Sequence, residues 1–111
     1  MEKENAIVVF DVGKTHKKCF VFSLNFKLLF QKNIQVDEIP DEDGFESDDL
    51  KTTLGWMEGL LEELLIEYAV KKVNFSAHGA SFVLIDFKGN PLLPMYNYLK
   101  PVDSEIEKEF Y

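Results

Sequence analysis

The chain has 111 residues, 46% of them hydrophobic and ten of them Phe, which is enough for one packed core near the lower end of domain size. Twenty acidic side chains against twelve basic ones leave a net charge of −8. Every basic residue is Lys, so the guanidinium fork that reads phosphates and base edges is missing, and nucleic acid is not the expected partner.

The runs Ala6 to Phe10 and Leu60 to Ile66 are too short or too interrupted to cross a bilayer, and Met1-Glu2-Lys3-Glu4 lacks a signal-peptide core. No membrane partner is expected. Cys19 stands alone, which excludes an internal disulfide and a Cys-based metal framework and places it as a small core residue. These features make a cytoplasmic protein the expectation.

Along the chain, Ala6 to Val12 is a nearly continuous β-branched and aromatic run that predicts a central strand buried on both faces. After Gly13-Lys14-Thr15-His16, a second strand is predicted over Lys18 to Leu24, and after Asn25-Phe26-Lys27 a third over Leu28 to Val36. Short links make the three an antiparallel meander. The acidic stretch from Asp37 to Asp49 reads as solvated surface, with a loop around Pro40 to Gly44.

Leu50, Leu54, Met57, Leu61, Leu64 and Tyr68 recur at spacings of four and three, which predicts a helix carrying one apolar stripe. Ser47 or Asp48 suits its N-cap, Asp48 and Asp49 its positive end, and Lys71 with Lys72 its negative end. Gly55 and Gly59 leave room for another backbone at close range. Val73 to Ser76 returns as a strand in a crossover unit, and Phe82 to Phe87 is predicted as a further strand ending at the turn Lys88-Gly89-Asn90-Pro91. Asp86 starts that turn by bonding nearby backbone. Beyond Pro94 the pattern is loop until a helix begins near Asp103, and neither a repeat nor an interdomain linker is visible. The expected fold class is α/β with a mixed sheet.

Chemistry concentrates at Asp11-Val12-Gly13-Lys14-Thr15-His16-Lys17-Lys18, where the first strand turns into the second. Gly13 permits a backbone conformation closed to other residues, which frees successive N–H groups to face an anion, while Thr15 adds a hydroxyl and Lys14 or Lys18 a positive charge. Asp11 at the end of a buried strand needs a partner, and hydrated Mg²⁺ is a natural one. No Walker loop is present, since G-x-x-x-x-G-K-[ST] is absent. An ordinary tight turn with flanking lysines fits the same spacing.

Asp11-x-Gly13-x-Thr15-x-x-Lys18 after an apolar strand resembles the first phosphate-binding signature of the superfamily of sugar kinases, heat-shock ATPases and actin, whose domains share a ribonuclease H-like fold. Phe75-Ser76-Ala77-His78-Gly79-Ala80-Ser81-Phe82-Val83-Leu84-Ile85-Asp86, followed by Gly89-Asn90-Pro91-Leu92-Leu93-Pro94, resembles the segment of FGGY carbohydrate kinases in which a strand meets the sugar site and the chain turns through Gly-x-Pro-Leu. The two segments come in the family's order, and the resemblance runs from Ala6 to about Pro101.

The resemblance implies residues 1–111 are the N-terminal portion of the first kinase domain, with ATP and Mg²⁺ as cofactors and a ketose or polyol as substrate. It implies that Asp11 organises Mg²⁺, that Gly13, Lys14, Thr15 and Lys18 shape the phosphate loop, and that His78 and Gly79 approach the sugar. Lys14 departs from the Thr more common in the family. His78 suits either a hydrogen bond to substrate or one to backbone, and His16 suits a solvated loop. Where many members carry Trp, Asp and Arg, this chain has Tyr96-Asn97-Tyr98-Leu99-Lys100-Pro101, so Tyr98 takes the aromatic place, Asn97 or Lys100 supplies hydrogen bonds, and the sugar stays open. The Asp-x-Gly-Lys-Thr form points toward a branch acting on rhamnulose- or fuculose-like ketoses.

The family's catalytic Asp and second domain lie beyond this length, so the 111 residues alone are expected to be inactive. The ending Glu107-Lys108-Glu109-Phe110-Tyr111 reads as cut from something longer, and the uncovered sheet favours self-association. Two alternatives are a stand-alone ribonuclease H-like binding or assembly domain without catalysis and another sugar or acyl kinase of the superfamily.

Overall fold

The computed structural model describes residues 2–79, 81–97 and 99–110, without the side chain of Phe110. Strands β1 (Asn5–Val12), β2 (His16–Phe22) and β3 (Leu28–Gln35) form the antiparallel meander, and β6 (Ala69–Ala77) joins β1 in parallel to give the order β3-β2-β1-β6. Helix α1 (Leu50–Glu67) carries the chain from the β3 side of the sheet back to β6. The strands form where β-branched and aromatic residues alternate in burial, as in the pattern of β1.

The core lies between the sheet and α1. Ala6, Val8 and Phe10 from β1, Cys19 and Val21 from β2, and Leu60 and Leu64 from α1 form one buried cluster. Phe10 meets Trp56 edge-on at 6.0 Å and stacks on Phe75 of β6 at 5.7 Å. The opposite sheet face carries Ile7, Val9, Asp11, Lys18, Phe20 and Phe22, all half-exposed. β1 is therefore buried chiefly on its helix face, not equally on both as its apolar run predicted.

The helix turns a slightly different face inward than its leucine stripe predicts. Thr53, Leu60 and Leu64 are its buried residues, while Leu54 is 43% exposed. The N-cap is Asp49, whose carboxylate accepts from Thr52 N at 3.0 Å and from the Thr52 hydroxyl at 2.6 Å, and neither Ser47 nor Asp48 caps the helix. Lys71 and Lys72 lie in β6 and the last helical turn has no basic residue. A Cβ added at Gly55 or Gly59 would meet nothing within 4 Å, so no backbone among the described residues uses the space they leave.

Two stretches read as loop contain strands. β4 (Ile39–Pro40), β5 (Glu46–Asp48) and β7 (Met95–Tyr96) form a second small sheet in the order β4-β5-β7. The Asp41 carboxylate holds the β4–β5 turn by accepting from the N–H groups of Asp43 and Phe45, with Gly44 at φ +82.

The strand predicted over Phe82 to Phe87 is absent. An extended strand needs a neighbour, and here one bridge, Ile85 to Pro91, and the bond from Leu92 N to Leu84 O make a narrow hairpin with Phe82 and Phe87 exposed. The turn itself forms as expected, with the Asp86 carboxylate accepting from Lys88 N at 2.8 Å and Asn90 N at 2.9 Å and with Gly89 at φ +83. Helix α2 (Ser104–Phe110) follows near the predicted start at Asp103. No helix among the described residues is long and apolar enough to cross a membrane.

Candidate functional site

The parallel pairing of β1 with β6 brings the two motif segments to the same end of the sheet. Asp11 stands beside Ser76 and Val12 beside Ala77, and His78 N donates to Val12 O at 3.2 Å. The turn after β1 and the His78-Gly79 segment after β6 are therefore neighbours, outside the carboxyl ends of parallel strands, where open α/β sheets place ligands.

Gly13 is needed for space, not for a left-handed backbone. A Cβ there would lie 2.7 Å from His16 O, whereas positive φ occurs at Gly44 and Gly89 and not at Gly13. Its N–H donates to His16 O at 3.1 Å, so the set of N–H groups expected to face an anion begins after Gly13. Thr15 is exposed, and its carbonyl accepts from Val36 N at 3.0 Å, which ties the turn to the end of β3.

Lys14 forms an ion pair with Glu38 at 3.3 Å, and Asn97 Nδ2 donates to the other Glu38 oxygen at 2.7 Å. The turn is thus linked to the segment after β7. Lys18 lies opposite Asp11 in the β1–β2 register, on the half-exposed face. Asp11 makes no side-chain hydrogen bond or ion pair to another described residue and is itself half-exposed. His78 Nδ1 lies 3.3 Å from Gly79 O. Tyr98, the residue expected to offer an aromatic surface to the sugar, lies outside the described residues.

Two charged residues outside the predicted site set, Lys17 and Asp48, lie close to the turn and to each other. Lys17 is 3% exposed, and its ammonium donates to Gly13 O at 2.6 Å and to Lys14 O at 2.8 Å. Burial pulls its pKa below the ordinary lysine value, opposed by the nearby charges of Asp48 and Glu38. Asp48 is half-buried, and desolvation raises its pKa against the attraction of Lys17 and His78. The alternation of β2, with Cys19 and Val21 inward, was the available signal that Lys17 also points inward.

A cleft of 220 Å³ adjoins the turn, lined by Lys14, Phe45, Glu46, Asn97, Leu99 and Lys100. Lys100 is held by Asp41 at 2.8 Å and Asp43 at 3.0 Å and lies over the Tyr96 ring at 4.3 Å, and its pKa is raised chiefly by the Asp41 hydrogen bond. Tyr96 donates its hydroxyl to Glu42. Asn97 and Lys100, both candidates for sugar hydrogen bonds, thus bind acidic residues of the segment Glu38 to Asp43.

Several solved structures share this fold. A carbohydrate kinase from Novosphingobium aromaticivorans matches 93% of the chain at 20% identity and a TM-score of 0.80. The glycerol kinase of Plasmodium falciparum, solved with ADP, matches 99% at 19% identity and 0.71, and a xylulose kinase from Lactobacillus acidophilus matches 83% at 18% identity and 0.67. The chain spans only 22%, 23% and 19% of those three proteins. No family model and no curated protein sequence matches it. The chain shares the fold of part of each of these kinases, and the α/β class with a mixed sheet expected from the sequence is the one that forms.

Proposed function

We propose that the chain is the N-terminal portion of the first domain of an FGGY carbohydrate kinase, which transfers the γ-phosphate of ATP to a sugar hydroxyl. The observation carrying this reading is the convergence of the Gly13–Thr15 turn and the His78–Gly79 segment at one sheet end within a carbohydrate-kinase fold. Gly13, Lys14, Thr15 and Lys18 form the phosphate side of the site, and His78, Gly79 and Tyr98 the sugar side. The substrate is a ketose or polyol, with the Asp-x-Gly-Lys-Thr form of the turn favouring the rhamnulose- and fuculose-like branch, and the protein works in the cytoplasm.

Asp11 fits a Mg²⁺ role because it stands one residue before the end of β1, near the turn, without a side-chain partner among the described residues. Mg²⁺ is commonly held by one or two carboxylates together with water and phosphate oxygens. When bound, Mg²⁺ supplies charge neutralisation at the phosphates. The chain's own contribution is to fix the turn, exclude a side chain at Gly13 and present Lys18 opposite Asp11. The 111 residues alone turn over no substrate, because no general base for the sugar hydroxyl is assigned within them.

The test is the natural gene product itself, with its intact mass measured and ADP release assayed across ketoses and polyols. The reading predicts a mass about four times 12.8 kDa, as for a two-domain kinase, and sugar-dependent ADP release. A natural product of 12.8 kDa that releases no ADP would shift the reading to a stand-alone binding domain. The exposed edge strand β6, with Phe75 59% exposed, favours that second reading.

A further inference from the structure

We propose that Lys17, which lies outside the Asp11-x-Gly13-x-Thr15-x-x-Lys18 pattern, is the positioning residue of the anion-binding turn, orienting its backbone N–H groups from beneath. The inference rests on the phosphate-loop reading above and adds a residue to it. In a trans peptide the C=O and the following N–H point in opposite directions, and the described residues contain no cis peptide. Lys17 draws both the Gly13 and the Lys14 carbonyls toward the helix side of the sheet, at 2.6 and 2.8 Å. The N–H groups that share those two peptide planes, of Lys14 and Thr15, are therefore turned together toward the outer side.

Two successive N–H groups aimed the same way make a small concave donor site for an anion. An uncharged side chain at position 17 would leave the two carbonyls without this donor, and the turn would be free to rotate either peptide plane. The ammonium is committed to the turn because Lys17 is 3% exposed and its hydrogen bonds among the described residues go to the two turn carbonyls. Asp48 and Glu38 lie close enough to support its charge, which makes a buried lysine tolerable here. Thr15 completes the arrangement with an exposed position that makes no side-chain hydrogen bond to a described residue. Lys18 points to the other sheet face, so the two adjacent lysines do different work: one holds the turn and the other faces Asp11.

The experiment is amide-resolved NMR of the 111-residue chain titrated with pyrophosphate, for the wild type, Lys17→Met and Lys17→Arg. The proposal predicts that pyrophosphate moves the Lys14 and Thr15 amides in the wild type. Lys17→Met should shift those two amides before any ligand is added and weaken pyrophosphate about tenfold, the scale of charge-assisted hydrogen bonds. Lys17→Arg, which keeps a charged donor, should restore part of the affinity. Unchanged amides and unchanged affinity in Lys17→Met would overturn the role of Lys17 while leaving the phosphate-loop reading intact. A wild type that does not respond to pyrophosphate would overturn both. Should Lys17→Met fail to fold, exchange of the wild-type ammonium protons decides: slow exchange at Lys17, slowed further by pyrophosphate, supports the proposal, and exchange as fast as at the exposed Lys71 and Lys72 overturns it.

Discussion

Gly13 and Cys19 are the residues at which local chemistry is most constrained. Replacing Gly13 by Ala puts a methyl group 2.7 Å from a backbone carbonyl that the β1–β2 pair cannot move. The expected cost is about 1–3 kcal/mol, read as a lower denaturant midpoint, and a variant as stable as wild type would contradict it. Burial raises the Cys19 thiol to about 11, from an ordinary 9.0. Its thiolate population at pH 8 is then about a hundredfold below that of the unfolded chain, so alkylation by iodoacetamide should require denaturant. Rapid alkylation of the folded chain would place Cys19 outside the core. The strand end at Asp11 and the turn through Gly13 and Thr15 were legible in the sequence because a strand ending in Asp-x-Gly carries its own pattern. Lys17 was not, because a lysine is read as surface unless strand alternation is followed through to its face.

Helix α1 forms where its apolar stripe predicts but turns a slightly shifted face to the sheet. A stripe at spacings of three and four fits two adjacent faces nearly as well, and only the sheet decides which turns inward. Leu60, outside the predicted stripe and 5% exposed, and Leu54, within it and 43% exposed, separate the two phases. Leu64→Ala should cost about 2–5 kcal/mol, while Leu54→Ala should cost far less. Equal losses would restore the phase centred on the leucines. The N-cap offers a second check, because hydrogen bonds from Thr52 hold the Asp49 carboxyl below its ordinary value of 3.8. A depressed carboxylate contributes stability that is present above pH 3.8 and lost as pH falls through the folded value. Asp49→Ala should therefore destabilise by about 1 kcal/mol at pH 7 and by much less near pH 2, measured by denaturant unfolding at both. A pH-independent loss would show that the carboxylate charge plays no part. The failed strand at Phe82 to Phe87 has a similar cause, since its apolar residues state a preference for a partner but cannot supply one.

The whole molecule is extended for its length, with a radius of gyration of 17.5 Å and a longest dimension of 62 Å. A compact domain of this size would have a radius near 13 Å. The difference reflects a small core and the projecting segments beyond β6, where Phe82, Leu84, Ile85 and Phe87 are exposed. With Phe75 on an open edge strand, this surface should drive self-association, seen as species heavier than 12.8 kDa in sedimentation. A monomer at all concentrations would show that the exposed surface is not adhesive. The meander and crossover were legible because each strand has its own apolar run, but β4, β5 and β7 are two or three residues long and exist through their pairing alone.

The most direct measurement is an amide-resolved NMR titration of the chain with ATP, with and without Mg²⁺, repeated on Asp11→Ala. The account predicts shifts confined to Gly13 through Thr15 and their β6 neighbours, with the Mg²⁺-dependent part lost in Asp11→Ala. Shifts that avoid the turn at millimolar nucleotide, or a Mg²⁺ dependence that survives without the Asp11 carboxylate, would contradict it.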